Sequence, residues 1–186
     1  MKLILCSASP RRRELLGGLD IPFVVDTDSS FVESMPAGVD PHKVPALMSE
    51  GKSGGFHRPL EEDEILVTAD TVVIVDSKVL GKPADEADAA RMLRLLSGRS
   101  HEVVTAVTLR STTRSETFSA STRVTFADLS EEEISHYITK YRPLDKAGAY
   151  GVQEWIGYVG ISSLEGSFYN VMGLPVHLLY RKLKTF

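Results

Sequence analysis

Residues 64 to 76 read EILVTADTVVIVD, the most strand-like run in a chain of 186 residues, and it holds an aspartate, Asp70, in its interior. A carboxylate among β-branched residues is costly to bury unless it is paired, protonated or bound to a metal. The fold must therefore supply a sheet for this run and a partner for Asp70. An aspartate at a bulge, bonded to backbone, would satisfy the same constraint, so the residue alone does not define a site. Its surroundings say more. A turn at DSK makes a hairpin that returns through VLGKP, and Pro83 restricts the backbone of Lys82. Such a hairpin brings Lys82 within a residue or two of the position opposite Asp70 or Thr71.

The rest of the chain mixes strands and helices without strict alternation, which favours a mixed sheet over a purely parallel one. KLILC reads as a buried strand, residues 10 to 17 as a short helix stopped by Gly17-Gly18, and IPFVVDTDS as a second strand. Residues 41 to 51 read as helical, with KSGGFHRPLEEDE a loop. DEADAARMLRLLSG is amphipathic, with Ala89, Met92, Leu93 and Leu96 on one face and Gly98 as its stop. HEVVTAVTLRS and ETFSASTRVTFADL read as an antiparallel pair. Ser130 and Glu133 form a capping box on a helix through Tyr141. DKAGAYGVQ is a Gly-rich loop, WIGYVGISSLEG a strand pair or bulged strand, and LPVHLLYRKLKTF a closing helix.

The length suits one globular domain, with room for two lobes. A net charge of -4 argues against a general binder of nucleic acid. One cysteine, Cys6, permits no internal disulfide and fits a reducing compartment. No apolar run approaches the roughly 20 residues that span a membrane. The first arginines follow the apolar segment, opposite to a signal peptide's order. A soluble, cytoplasmic protein is expected.

A local basic cluster in an acidic chain points to a small anionic ligand. Ser9 is a good N-cap and Pro10 a good first helical residue, yet Arg11, Arg12 and Arg13 crowd the first turn, where the helix dipole disfavours cations. An anion at that end would reverse the balance. The turn also offers free backbone N–H groups and the hydroxyls of Ser7 and Ser9, while arginine pairs bidentately with phosphate. A solvated basic helix start is the plainer alternative, and Arg13, off the apolar face, fits that description. Glu33 follows the second strand; by itself it reads as a surface residue, but if the strands are neighbours it would make, with Asp70 and phosphate oxygens, a divalent-ion site of oxygen ligands. Lys52, near the end of its helix, is ambiguous by itself. In DKAGAYGVQ, Gly148 and Gly151 allow close backbone approach, and Gln153 offers a donor and an acceptor; a base-reading amide is one explanation and a plain structural turn is another.

Six blocks in order, SASPRRRELL, TADTVV, GKP, LSGRSHEVVTAV, DKAGAYGVQ and GSFYNVMGLP, resemble the Maf family of nucleoside triphosphate pyrophosphatases. They run from residue 7 to residue 175, and the DKAGAYG-x-Q version is similar to the dTTP/UTP branch rather than the branch acting on 7-methyl-GTP. The resemblance implies a two-lobed α/β fold, a curved mixed β-sheet flanked by helices and similar to inosine triphosphate pyrophosphatases, with the substrate cleft between the lobes. It implies hydrolysis of a nucleoside triphosphate between the α and β phosphates with Mg²⁺ or Mn²⁺, by a homodimer. It casts Asp70 as the acidic residue that activates water. Arg11, Thr71 and Gln153 fall on positions that select a pyrimidine nucleotide. Ser7, Ser9, Arg12, Lys52 and Lys82 fall on the triphosphate cleft, and Glu33 near the metal. Two rival readings remain: a pyrophosphatase for non-standard purine triphosphates, and a nucleotide-binding regulator of cell division or septum formation.

Overall fold

A computed structural model of the chain describes residues 2–34 and 38–186. In chain order the elements are β1 (Lys2–Leu5), α1 (Pro10–Gly17), β2 (Phe23–Val25), α2 (Val44–Gly54), β3 (Glu64–Val75), β4 (Lys78–Leu80) and α3 (Glu86–Leu96). They continue with β5 (Ser100–Arg110), β6 (Ser115–Phe126), α4 (Glu131–Tyr141), α5 (Trp155–Gly160), β7 (Ile161–Glu165), α6 (Phe168–Met172) and α7 (Val176–Leu183). The strands form one mixed sheet in the order β2-β1-β3-β5-β6-β7, with β4 paired to β3. β1 runs parallel to both β2 and β3, and the links between them carry α1 and α2, as parallel pairing requires a crossover. β4 on β3 and β7 on β6 are antiparallel.

Chain contacts divide into two compact units. The first comprises Met1–Thr71, Thr105–Ala120 and Gly173–Phe186. Its core includes Ile4, Cys6, Phe56 and Leu66, with Leu60 packed against them. Cys6 thus fills space as a small apolar residue, and burial raises its thiol pKa. The second unit comprises Val72–Val104 and Ser121–Met172. There α3 buries Ala89, Met92, Leu93 and Leu96, the face expected from their spacing, and packs on α4 and on a short 3-10 turn at Ala147–Ala149. The capping box at Ser130 and Glu133 is formed in both directions.

Two expectations need correction. WIGYVGISSLEG is a helix followed by a strand, because Ile156 and Gly160, four residues apart, share the buried face of α5 before the chain extends into β7. The helix around residue 50 does not stop at residue 51; α2 runs to Gly54, so Lys52 is inside its last turn. The β3–β4 hairpin has the expected register, Val73 facing Leu80 and Val75 facing Lys78, and its ladder ends two residues before Lys82. Asp76 and Ser77 make the tight turn of that hairpin, both with positive φ, the twist a two-residue turn needs.

β3 enters the sheet through a charged clasp. Arg58 donates from Nη1 and Nη2 to the two oxygens of Glu64 at 2.8 and 2.9 Å, and the Glu61 N–H donates to Glu64 Oε2 at 2.9 Å. The Arg58 bonds first, then the Glu61 N–H, pull the Glu64 pKa from its ordinary 4.5 to about 2. A carboxylate depressed on folding contributes stability above its unfolded pKa and loses that contribution as pH falls through the folded value. The wild type should lose urea resistance between pH 4.5 and 2. Arg58→Leu should flatten that segment of the titration and lower the urea midpoint at neutral pH.

Candidate active site

Of the twelve residues of β3, ten are buried, and the two that are not are Asp70 and Thr71. The strand opens only where its polar pair sits. Lys52 Nζ lies 2.7 Å from Asp70 Oδ1 and 2.7 Å from Glu33 Oε1, so one ammonium joins two carboxylates. The Asp70 and Lys52 side chains are only 16% and 18% exposed, whereas Glu33 is 59% exposed. The ion pair sits at the rim of the core, and Glu33 closes it from the solvent side.

Buried hydroxyls dock α2 on the sheet and so place Lys52. Ser49 Oγ donates to the Thr68 carbonyl at 3.1 Å and lies 2.9 Å from Thr108 Oγ1, and Thr68 Oγ1 donates back to the Ser49 carbonyl at 2.8 Å. One turn later, Arg110 donates to Ser53 Oγ at 2.9 Å and to the Ser53 carbonyl at 2.6 Å, satisfying an end-of-helix acceptor. Lys52 stands between these two anchors. The glycines of EGKSGG have a steric purpose: a Cβ on Gly51 would lie 2.2 Å from the Phe31 ring, and one on Gly55 would lie 2.8 Å from the Phe31 backbone nitrogen. The Ser30 N–H donates to the Gly55 carbonyl at 2.8 Å. Phe31 seats the strand-end segment on α2, and Glu33 follows two residues later.

At the other end of the group, Ser9 caps α1 by accepting from the Arg12 N–H at 3.4 Å. Arg12 is not a free cation. It donates from Nε to the Gly173 carbonyl at 2.9 Å, from Nη2 to Thr71 Oγ1 at 3.1 Å and from Nη1 to Ser7 Oγ at 3.4 Å. Thr71 Oγ1 is also 2.9 Å from Thr105 Oγ1. Burial lowers the Arg12 pKa and Arg11 adds repulsion, while Asp70 and Glu33 act the other way. Ser7, Ser9, Arg11, Arg12, Glu33, Lys52, Asp70 and Thr71 all belong to the first unit.

Lys82 and Gln153 belong to the second. The Gly148 N–H donates to the Gly81 carbonyl at 3.0 Å, tying the Gly-rich loop to the turn that carries Lys82. Gln153 Oε1 is buried without a hydrogen-bond partner. A buried carbonyl oxygen left unpaired costs free energy, and such groups mark places where a ligand donor fits.

The sequence pattern of the family described as Maf-like protein matches residues 2–186. The chain belongs to the Maf family. Among its relatives, a protein of Porphyromonas gingivalis named dTTP/UTP pyrophosphatase is 55% identical, with 100% of this chain and 94% of that protein covered. One of the same name from Bacteroides thetaiotaomicron is 50% identical over 98% and 95%. Another, from Christiangramia forsetii, is 43% identical over 98% and 93%. The Ham1 proteins of Coxiella burnetii and Staphylococcus aureus are each 14% identical with a TM-score of 0.52, and each covers 100% of this chain and 100% and 99% of its own. They share the α/β fold.

For a divalent ion, this Maf-family chain offers the oxygens of Glu33 and Asp70. Among the described residues, no group of three or more histidine, cysteine or acidic side chains converges. Two carboxylates suit a hard cation that keeps water or takes phosphate oxygens for its other positions, and Lys52 competes for the same oxygens. Among the described residues, no helix is long and apolar enough to cross a membrane. Sequence reasoning did not single out Gly173, Thr105, Ser49, Thr108 or Arg110, because each acts through contacts distant in the chain. Gly51 and Gly55 were legible only as a departure from helix-forming composition. Gly55→Ala should cost about 1–3 kcal/mol by urea denaturation, since the obstructing atoms are backbone. The same variant should loosen Glu33 from Lys52.

Proposed function

We propose that this protein hydrolyses dTTP and UTP between the α and β phosphates, yielding the monophosphate and pyrophosphate. The observation that carries the reading is Asp70, held at the one opening in β3 by Lys52 with arginines close by, in a chain 43–55% identical along its length to proteins of that name. The reaction adds a water oxygen to the α phosphorus, breaks its bond to the bridging oxygen and transfers a proton from the water. Asp70 orients the water and accepts that proton. Lys52 and Arg12 lower the cost of charge gathering on the leaving pyrophosphate, with Ser7, Ser9 and the start of α1 adding donors. Lys82 adds a further cation. Arg11 and Thr71 take part in nucleotide selection.

A divalent ion, Mg²⁺ or Mn²⁺, held by Glu33 and Asp70 would supply additional neutralisation of the phosphates. Gln153 reads the base: its unpartnered Oε1 accepts from the N3–H of thymine or uracil, while its amide donates to O4. Cytosine, with acceptor and donor exchanged, mismatches both. The protein works in the cytoplasm, a reading that its lone buried cysteine fits, and as a homodimer, as the motif resemblance implies.

A turnover assay over the eight common nucleoside triphosphates, scoring pyrophosphate apart from phosphate, tests the proposal. Pyrophosphate should appear from dTTP and UTP, fall at least a hundredfold in Asp70→Asn, and depend on added Mg²⁺ or Mn²⁺. Gln153→Ala should weaken discrimination against CTP more than it weakens triphosphate binding. Binding without turnover of any nucleotide would reject the hydrolase in favour of a regulator.

A further inference from the structure

Beside Gln153 in the second unit stands an acid–tyrosine–lysine group outside the proposed reaction, its tyrosine and lysine buried and its acid, Glu154, 20% exposed. Glu154 occupies the N-cap position of α5 but makes no side-chain cap bond. Its carboxylate instead accepts from the Tyr137 hydroxyl on Oε2 and lies 3.1 Å from Lys146 Nζ through Oε1. The Tyr137 hydroxyl also accepts the Gly151 N–H at 2.9 Å, and Lys146 reaches Asp145 at 2.8 Å. Tyr137 is fully buried and Lys146 nearly so. Ions are rarely kept at such depth without partners, and a helix N-cap normally spends its side chain on its own helix.

The group grips the turn that carries Gln153 from both sides. The Glu154 N–H donates to the Gly151 carbonyl at 3.0 Å, closing the turn over residues 151–154. A Cβ on Gly151 would lie 2.9 Å from Glu154 Cδ and 3.1 Å from Lys146 Cε, so the glycine is what lets the ion pair lie across the backbone. One residue earlier, the Tyr150 hydroxyl is 2.7 Å from His101 Nε2, and both rings pack edge-on against Phe126. Burial pushes the His101 pKa down to about 4 and the Tyr137 and Tyr150 pKa values above the usual phenol range. The anchoring phenols therefore keep their protons through neutral pH.

We propose that Tyr137, Glu154 and Lys146 are positioning residues for base selection: they hold the 151–154 turn so that Gln153 presents its amide in one orientation. This rests on the reading of Gln153 as the base-reading residue. A group that served stability alone would alter the folded fraction for every nucleotide equally. A positioning group alters the ratio between nucleotides.

The test compares Tyr137→Phe, Glu154→Gln, Lys146→Met and Lys146→Arg with wild type and Gln153→Ala. It measures kcat and KM for UTP and CTP, with a melting curve for each variant. Binding of UTP and CTP by calorimetry in the Asp70→Asn background reads the same ratio without turnover. Tyr137→Phe and Glu154→Gln should raise the KM for UTP about tenfold with kcat within about twofold, and shrink the UTP-to-CTP ratio toward that of Gln153→Ala. Lys146→Met should do the same and Lys146→Arg should restore most of the loss. If one variant does not fold, the others decide the question. An unchanged ratio in folded Glu154→Gln and Lys146→Met, with the ratio collapsed in Gln153→Ala, would overturn the positioning role while sparing the base reader. An unchanged ratio in Gln153→Ala itself would reject the base reader, and the positioning role with it.

Discussion

A single ammonium between two carboxylates sets the terms for the first unit. Asp70 interrupts a strand that is otherwise buried, and its charge must be balanced from nearby. Lys52 provides the balance at 2.7 Å, and Glu33 shares it at the same distance from the solvent side. Such a group stabilises little by itself, since the desolvation of a buried pair offsets most of its Coulomb energy. Its value is positional. α2 is locked by Ser49 and Ser53 on either side of Lys52, and the loop bearing Glu33 is seated through Phe31 into space left by two glycines. The result is a carboxylate fixed at an opening, with its counter-charges already ordered.

The start of α1 solves a different electrostatic problem. Arginines at a helix N-terminus oppose the dipole, and the structure removes part of that conflict before any ligand arrives. Arg12 turns back to the Gly173 carbonyl and to the hydroxyls of Thr71 and Ser7, so its orientation is set by three protein acceptors. Around Asp70 and Glu33, the cations Lys52, Arg11 and Arg12 leave the group with an excess of positive charge. A highly charged anion such as a triphosphate is the kind of ligand this preorganised set favours. The second unit shows the same economy in a neutral register: a Gly-rich turn, fastened by buried phenols and one ion pair, leaves one amide oxygen of Gln153 unspent.

Much of this was written plainly in the sequence. The β-branched run around Asp70, the apolar face of α3, the capping box of α4 and the Ser-Pro start of α1 are local patterns, governed by the period of a helix or strand and by end-capping chemistry. Six ordered motifs carried the family. Local reasoning failed where tertiary contacts override propensity. WIGYVG, rich in residues that favour strands, becomes helix because Ile156 and Gly160 are buried on one side, with a Cβ on Gly160 coming within 2.9 Å of Leu129. The Gly-rich segment after residue 51 stays helical because its end is capped by Arg110, more than fifty residues away in the chain.

The sequence by itself determined which residues are able to do chemistry, because charge, hydroxyl and amide groups are properties of single side chains. It also determined most of the elements that carry them, because helix and strand periods are short-range. Only the tertiary structure decided which groups meet. That Lys52 joins Asp70 to Glu33, that Arg12 is held by Gly173, and that Glu154 abandons its own helix for Tyr137 and Lys146 depend on distances between segments far apart in the chain. Those distances follow from how buried faces pack and how buried polar groups find partners, which no local pattern encodes.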